Sequence, residues 1–284
     1  MSKVIGIFAF LLLTLPLTGL MEWLGAAVSS GLKGEKPPGL LQAVIKPVLL
    51  YRKPWGESPK EKLTAFLHLA FAMAGGSVFF AGGSIALSFL LLVFAEAVMV
   101  YKIGHNERDP LSTGFESETA SASYSACQLF LAAAGFYCFN RLLYYKGSFL
   151  VSGIVSSQTA PSFYMPAMLM GFIWMLVNES GIGLSSIDKN CEYLEKEQAM
   201  YESGRRFRKA TLFGVLFIFN YGGTVLSALI SGGICLLVWL FGLLLHEPYS
   251  RPWNPRAASA VSAVLLIASF INLFVLFQLT DGLR

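Results

Sequence analysis

The sequence predicts an all-α, polytopic membrane protein of about eight transmembrane helices with one amphipathic helix on the membrane surface. Three observations carry this. Hydrophobic residues are 55% of the 284 and charged residues only 13%, about half the share in ordinary soluble domains. The apolar residues gather into runs that meet the length of a bilayer core, about 20 residues per helix. The 21 Lys and Arg concentrate in alternate connections between those runs. Such a composition excludes a disordered chain, a secreted disulfide scaffold and a nucleic-acid binder.

The first span runs from Val4 to about Leu24. It follows Lys3 as a signal peptide would, but it is longer than a signal core and more spans follow. Leu63 to Tyr101 holds 39 residues with one acid, Glu96, and one histidine, His68. A single helix of that length would extend to about 58 Å, far beyond the membrane core. Gly82-Gly83-Ser84 is the natural break, giving spans near 63–82 and 84–102. Ser121 to Asn140 is the fourth span. Pro161 to Asn178 is the fifth, with proline at its start, where a missing N–H costs least. Ala210 to His246 contains no Lys, Arg, Asp or Glu. Ser231-Gly232-Gly233 is the expected turn there, giving spans near 210–230 and 233–247. The eighth span is 257–279. The whole chain, 1–284, reads as one integral membrane domain.

Charge orients these spans. The connections after spans one, three, five and seven hold 17 of the 21 Lys and Arg. Excess Lys and Arg marks the cytoplasmic side. Loops 25–62 and 179–209 are therefore expected in the cytoplasm, with both termini outside, in a cell inner membrane. Long loops on one face suggest a docking surface.

Pro38 to Lys53 reads PGLLQAVIKPVLLYRK, with Leu40, Leu41, Val44, Ile45, Val48 and Leu49 on one stripe. This is the pattern of a helix lying on the membrane surface. Glu96 lies deep in the third span, where an ionisable group is expensive and faces a bundle interior or a water-filled path. Glu22 sits near the end of the first span. His68 reads as a packed polar residue. The segment from Asn178 is rich in acids, Glu179, Asp188, Glu192, Glu195, Glu197 and Glu202, and then basic at Arg205, Arg206, Arg208 and Lys209. The acids are candidates for a membrane entrance that relays protons. The basic cluster is a candidate for docking an acidic partner face. The four cysteines have no C-x-x-C spacing, and no metal site is expected in this chain.

Three stretches in order resemble the membrane-anchor subunit of respiratory complex I, the subunit 1 family of NADH-quinone oxidoreductases. Gly34 to Lys53, GEKPPGLLQAVIKPVLLYRK, is similar to the family's G-P-x-G-L-L-Q surface segment. Tyr201 to Phe213, with Glu202-Ser203-Gly204, resembles its E-Y-S-G step. His246 to Arg256, HEPYSRPWNPR, resembles the turn before the last helix in energy-converting [NiFe] hydrogenases and formate hydrogenlyase. The resemblance implies a non-catalytic subunit that anchors a soluble hydrogenase-like or dehydrogenase-like module beside antiporter-like membrane subunits. NiFe and Fe-S centres are then expected in the partners, with proton or sodium translocation coupled to their electron transfer. It adds Gln42, Arg251 and Arg256 to the docking candidates. The family's A-E-x-x-R-x-P-F-D block is matched at Glu179 alone, since Gly181 to Ser186 offer no Arg, Pro or Asp, and this argues against quinone as a ligand of this chain. Two alternatives remain: a quinone-site subunit of a dehydrogenase-like complex, and an independent secondary transporter. The second is motivated by the glycine pairs at 75–76, 82–83, 222–223 and 232–233, which an inverted repeat would require.

Overall fold

The computed structural model describes residues 2–34, 36, 39, 51–52, 55, 59–105, 113–144, 147–181, 195–246 and 255–282. Gln42, Glu192, Arg251 and most of the surface segment 38–53 lie outside them, as do the side chains of Glu179, Glu195 and Arg256.

The protein is an all-α membrane protein. Its long helices are α1 (Ser2–Lys33), α2 (Pro59–Phe80), α3 (Ile85–His105) and α4 (Thr113–Tyr144). They continue as α5 (Pro166–Gly181), α6 (Glu195–Asn220), α7 (Val225–His246) and α8 (Pro255–Asp281). A helical turn at Val151–Val155 and a 3-10 turn at Pro161–Phe163 lie between α4 and α5. Among the described residues, five helices, α1, α2, α4, α7 and α8, are long and apolar enough to cross a membrane. The apolar parts of α3 and α5 are shorter, Ile85–Tyr101 and Pro166–Asn178.

Helix directions follow from the side chains that meet. Gly6 packs on the Phe80 carbonyl and Gly76 on Phe10, so α1 and α2 are antiparallel. His68 meets Ala95 and Ser88 meets Gly75, so α2 and α3 are antiparallel too. Gln128 reaches Ser269 while Arg141 pairs with Asp281, so α4 and α8 are parallel. Thr64 meets Tyr201 while Phe79 meets Gly214, so α2 and α6 are parallel. The start of α1 and the end of α8 therefore lie at one end of the bundle, together with the four-residue turns 81–84 and 221–224 and the connection 145–165; this is the short-connection end. The longest connection, 34–58, is at the other, long-connection end.

The short-connection end is closed by backbone pairing. Ile85 N–H donates to Phe149 O at 2.7 Å, and Val151 N–H to Gly83 O at 2.9 Å. Gly82 ends α2 at a φ of 71°. Gly83 N–H reaches Val78 O and Gly82 N–H reaches Phe79 O, both at 2.9 Å, the paired bonds that satisfy the last carbonyls of a helix. Glycine is required there because other residues lose energy in the left-handed region.

The second doubled run turns elsewhere than its sequence suggests. Ser231, Gly232 and Gly233 lie inside α7, with open space beside both glycines. The chain reverses instead at 221–224, where Gly223 has a φ of 74°. Thr224 then starts α7: Ser227 N–H donates to Thr224 Oγ1 and Thr224 N–H to Ser227 Oγ, each at 3.1 Å. These reciprocal bonds satisfy first-turn donors that a helix otherwise leaves open. Ser231 has no such role, since its hydroxyl bonds back to Ser227 O within the helix. A Cβ on Gly223 would also lie 3.0 Å from Ser157 O. Gly223→Ala is expected to cost about 1–2 kcal/mol through backbone strain, read as a lower unfolding midpoint in detergent. Gly232→Ala serves as the control, with an unchanged or higher midpoint.

This turn changes α6. The uncharged stretch 210–220 is only the second half of a helix that begins at Glu195 and carries Arg205, Arg206, Arg208 and Lys209 in its middle. The basic cluster is thus part of the bundle and does not lie in a loop.

Candidate functional site

The charged half of α6 is built into the protein interior. Arg206 is 5% exposed and Arg208 is 9% exposed, where an unpaired cation would be prohibitive. Both find carboxylates from distant helices. Arg206 donates through Nε to Glu22 Oε1 at 3.1 Å, and through Nη2 to Glu22 Oε2. This is the two-pronged geometry that suits a guanidinium and a carboxylate. Arg208 donates to Glu96 Oε2 at 2.5 Å and to Ser125 Oγ at 2.8 Å. One turn of α6 thereby ties α1, α3 and α4 together through charge.

The two pairs differ in access. The Glu22 side chain is 41% exposed and that of Glu96 is 15% exposed. Glu22 can be approached from outside the bundle, and Glu96 is enclosed. Around them lies a polar layer. Tyr201 donates to Thr64 Oγ1 at 2.8 Å. His68 Nδ1 is 2.8 Å from Ala95 O, and the His68 and Tyr201 rings are 5.5 Å apart. His68 lies nine residues into α2, roughly 13 Å along its axis, so the layer sits well inside the bundle, nearer the long-connection end.

Towards that end, the chain before α2 is fastened to α6. Tyr51 OH donates to Ser203 Oγ at 3.2 Å, and Lys196 Nζ lies 4.6 Å from the centre of the Trp55 ring. Burial pushes the Tyr51 phenol up, opposed by its bond to Ser203. Towards the short-connection end, the layer gives way to Phe79, Phe89, Phe136, Phe172, Phe219 and Met168, all buried. The Phe136 and Phe219 ring centres are 4.6 Å apart, with their planes tilted by 48°.

The structure thus brings Glu22, Glu96, Arg206 and Arg208 together. Glu202 sits one turn before Arg206 and accepts a bond from Gln198 at 3.2 Å. Arg205 is half-buried on the same helix. Docking through this cluster needs cations that a partner can reach, and Arg206 and Arg208 instead face inward. Sequence reasoning assigned no function to His68, Tyr201 or Ser125. A weak signal existed: two acids in apolar runs need cations, and four basic residues cluster at 205–209 directly before an apolar run. Among the described residues, no group of His, Cys, Asp and Glu is arranged to hold a metal ion.

No protein-family model matches the chain, and no curated protein matches it as a relative.

Proposed function

We propose that this chain is the membrane-anchor subunit of a complex I-like oxidoreductase, of the kind found in energy-converting hydrogenases. It couples electron transfer in a soluble module to movement of protons or sodium ions. The observation that supports this reading is the ion pair Glu96–Arg208, enclosed in an apolar bundle, beside a second pair, Glu22–Arg206, whose carboxylate is open to the outside. Buried ion pairs are poor stabilisers, because desolvation offsets their attraction. In a membrane protein they mark paths for ions or protons.

In this reading Arg206 and Arg208 pair with the acids inside the bundle and do not dock a partner. Docking falls to the connections at the long-connection end, where the sequence places Gln42, Arg251 and Arg256. That end faces the cytoplasm, all eight long helices span the inner membrane, and α6 crosses with its charges covered by α1, α3 and α4. NiFe and Fe-S centres belong to the partner subunits. The transporter alternative asks for glycine-broken helices in the membrane. Gly75, Gly76, Gly232 and Gly233 lie inside continuous helices, and the other two pairs form end turns.

Purification of the tagged chain from its native membranes tests the reading. Iron-containing soluble subunits should co-purify, and vesicles bearing the complex should form an ion gradient during electron transfer. Glu96→Gln in an assembled complex should lower the ions moved per electron several-fold. A chain that purifies alone and transports a solute in liposomes would overturn the proposal.

A further inference from the structure

His68 is 1% exposed, and its two nitrogens are treated differently. Nδ1 lies 2.8 Å from the Ala95 carbonyl. A carbonyl only accepts, so Nδ1 carries the hydrogen. In the neutral ring Nε2 is then a bare lone pair. It is buried, and among the described residues no hydrogen-bond partner meets it. Buried polar atoms are normally satisfied, and one that is not calls for a reason.

The surroundings supply one. Gly204 lets α6 approach the ring, since a Cβ there would stand 2.7 Å from Nε2 and 2.4 Å from Cδ2. On α6, the Tyr201 ring lies 5.5 Å from the imidazole, the charges of Arg205 and Arg208 reach it, and the Tyr201 backbone is an acceptor outside hydrogen-bond geometry. From α3, Ala95 holds Nδ1 and Glu96 follows it in sequence, paired with Arg208. The neutral ring leaves Nε2 unsatisfied. The protonated ring points a donor at the Tyr201 backbone but meets two guanidinium groups. Neither state is fully satisfied, which suits a group that changes between them.

We propose that His68 is a proton-binding site, taking up a proton at Nε2 in step with the charge on Glu96. An N–H bond forms at Nε2 as an O–H bond breaks in water or in a carboxyl group, and no electrons change hands. While Glu96 is ionised it offsets Arg208, and the imidazolium is tolerated. When Glu96 is neutral, Arg208 loses that countercharge and repels the second proton more strongly. The proposal rests on the ion path described above and supplies it with a second titrating group.

Histidine-selective nitrogen labelling of the full chain in lipid nanodiscs tests this by magnetic resonance. The chain has three histidines. His105→Gln and His246→Gln identify the His68 signals without disturbing that site. The expected spectrum shows the Nδ1–H form at neutral pH and reversible conversion to imidazolium as the pH is lowered. In Glu96→Gln the conversion should need a several-fold higher proton concentration. An Nε2–H form, a ring that stays neutral wherever the protein is folded, or a titration indifferent to Glu96→Gln would each overturn the proposal. None of these readouts needs partner subunits or coupled transport. The ion path can therefore fail in vesicles while the proton site stands, and the reverse.

Discussion

Glu96→Leu is expected to destabilise the isolated chain by about 3–5 kcal/mol, the usual cost of breaking a buried pair by removing one partner. The substitution removes the carboxylate that Arg208 meets at 2.5 Å. Arg208 keeps its bond to Ser125 at 2.8 Å, but a hydroxyl brings no countercharge. The guanidinium then lies in a low-dielectric interior without the countercharge of Glu96. Less protein should accumulate in membranes, and its unfolding midpoint in detergent should fall. The double variant Glu96→Leu, Arg208→Met removes both charges, and replacing a buried pair with apolar side chains is close to neutral. It should recover most of the lost stability while leaving ion coupling abolished. A double variant as unstable as Glu96→Leu alone would mean that the pair is not the origin of the loss. A double variant with normal coupling would remove both residues from the path.

Asn272→Leu is expected to have the next largest effect, because one side chain holds two helices. Asn272 Oδ1 accepts from Ala167 N–H at 3.1 Å, and Nδ2 donates to Tyr164 O at 3.0 Å. Ala167 is in the first turn of α5, where backbone donors lack partners within the helix. Leucine would strand a donor and an acceptor, at about 1–3 kcal/mol each. Water is scarce in a bilayer core, so the penalty is not easily relieved there. α8 is otherwise little buried, with Val264, Ile267, Phe270, Ile271 and Phe274 all more than half exposed. The rest of its hold on α4 and α5 includes Ser262 with Trp174, Ser269 with Gln128, and Asp281 with Arg141. A lower unfolding midpoint and earlier proteolysis at α8 would bear this out. Asn272→Asp, which keeps the acceptor for Ala167 and loses the donor to Tyr164, should fall between leucine and the native residue. If leucine is silent, α8 is held by the other bonds.

The amino-acid sequence by itself determined the class of the fold, its apolar helices and the turn at Gly82-Gly83. It also singled out Glu22 and Glu96, since carboxylates in apolar runs stand out whatever surrounds them. These are local features: hydropathy, helix length, and a glycine placed where the backbone turns left-handed. The same reading put the second doubled run's turn at 231–233. Two glycine pairs compete there, and α7 starts at the one followed by a threonine and a serine that cap it. Only the tertiary structure decided that the basic cluster belongs to α6, and that Arg206 and Arg208 face inward. Hydropathy counts each charge as a cost regardless of its partner. Here the partners lie 184 residues away in sequence for Glu22 and 112 for Glu96. Coulombic attraction depends on separation in space, and no local window over the chain contains that distance.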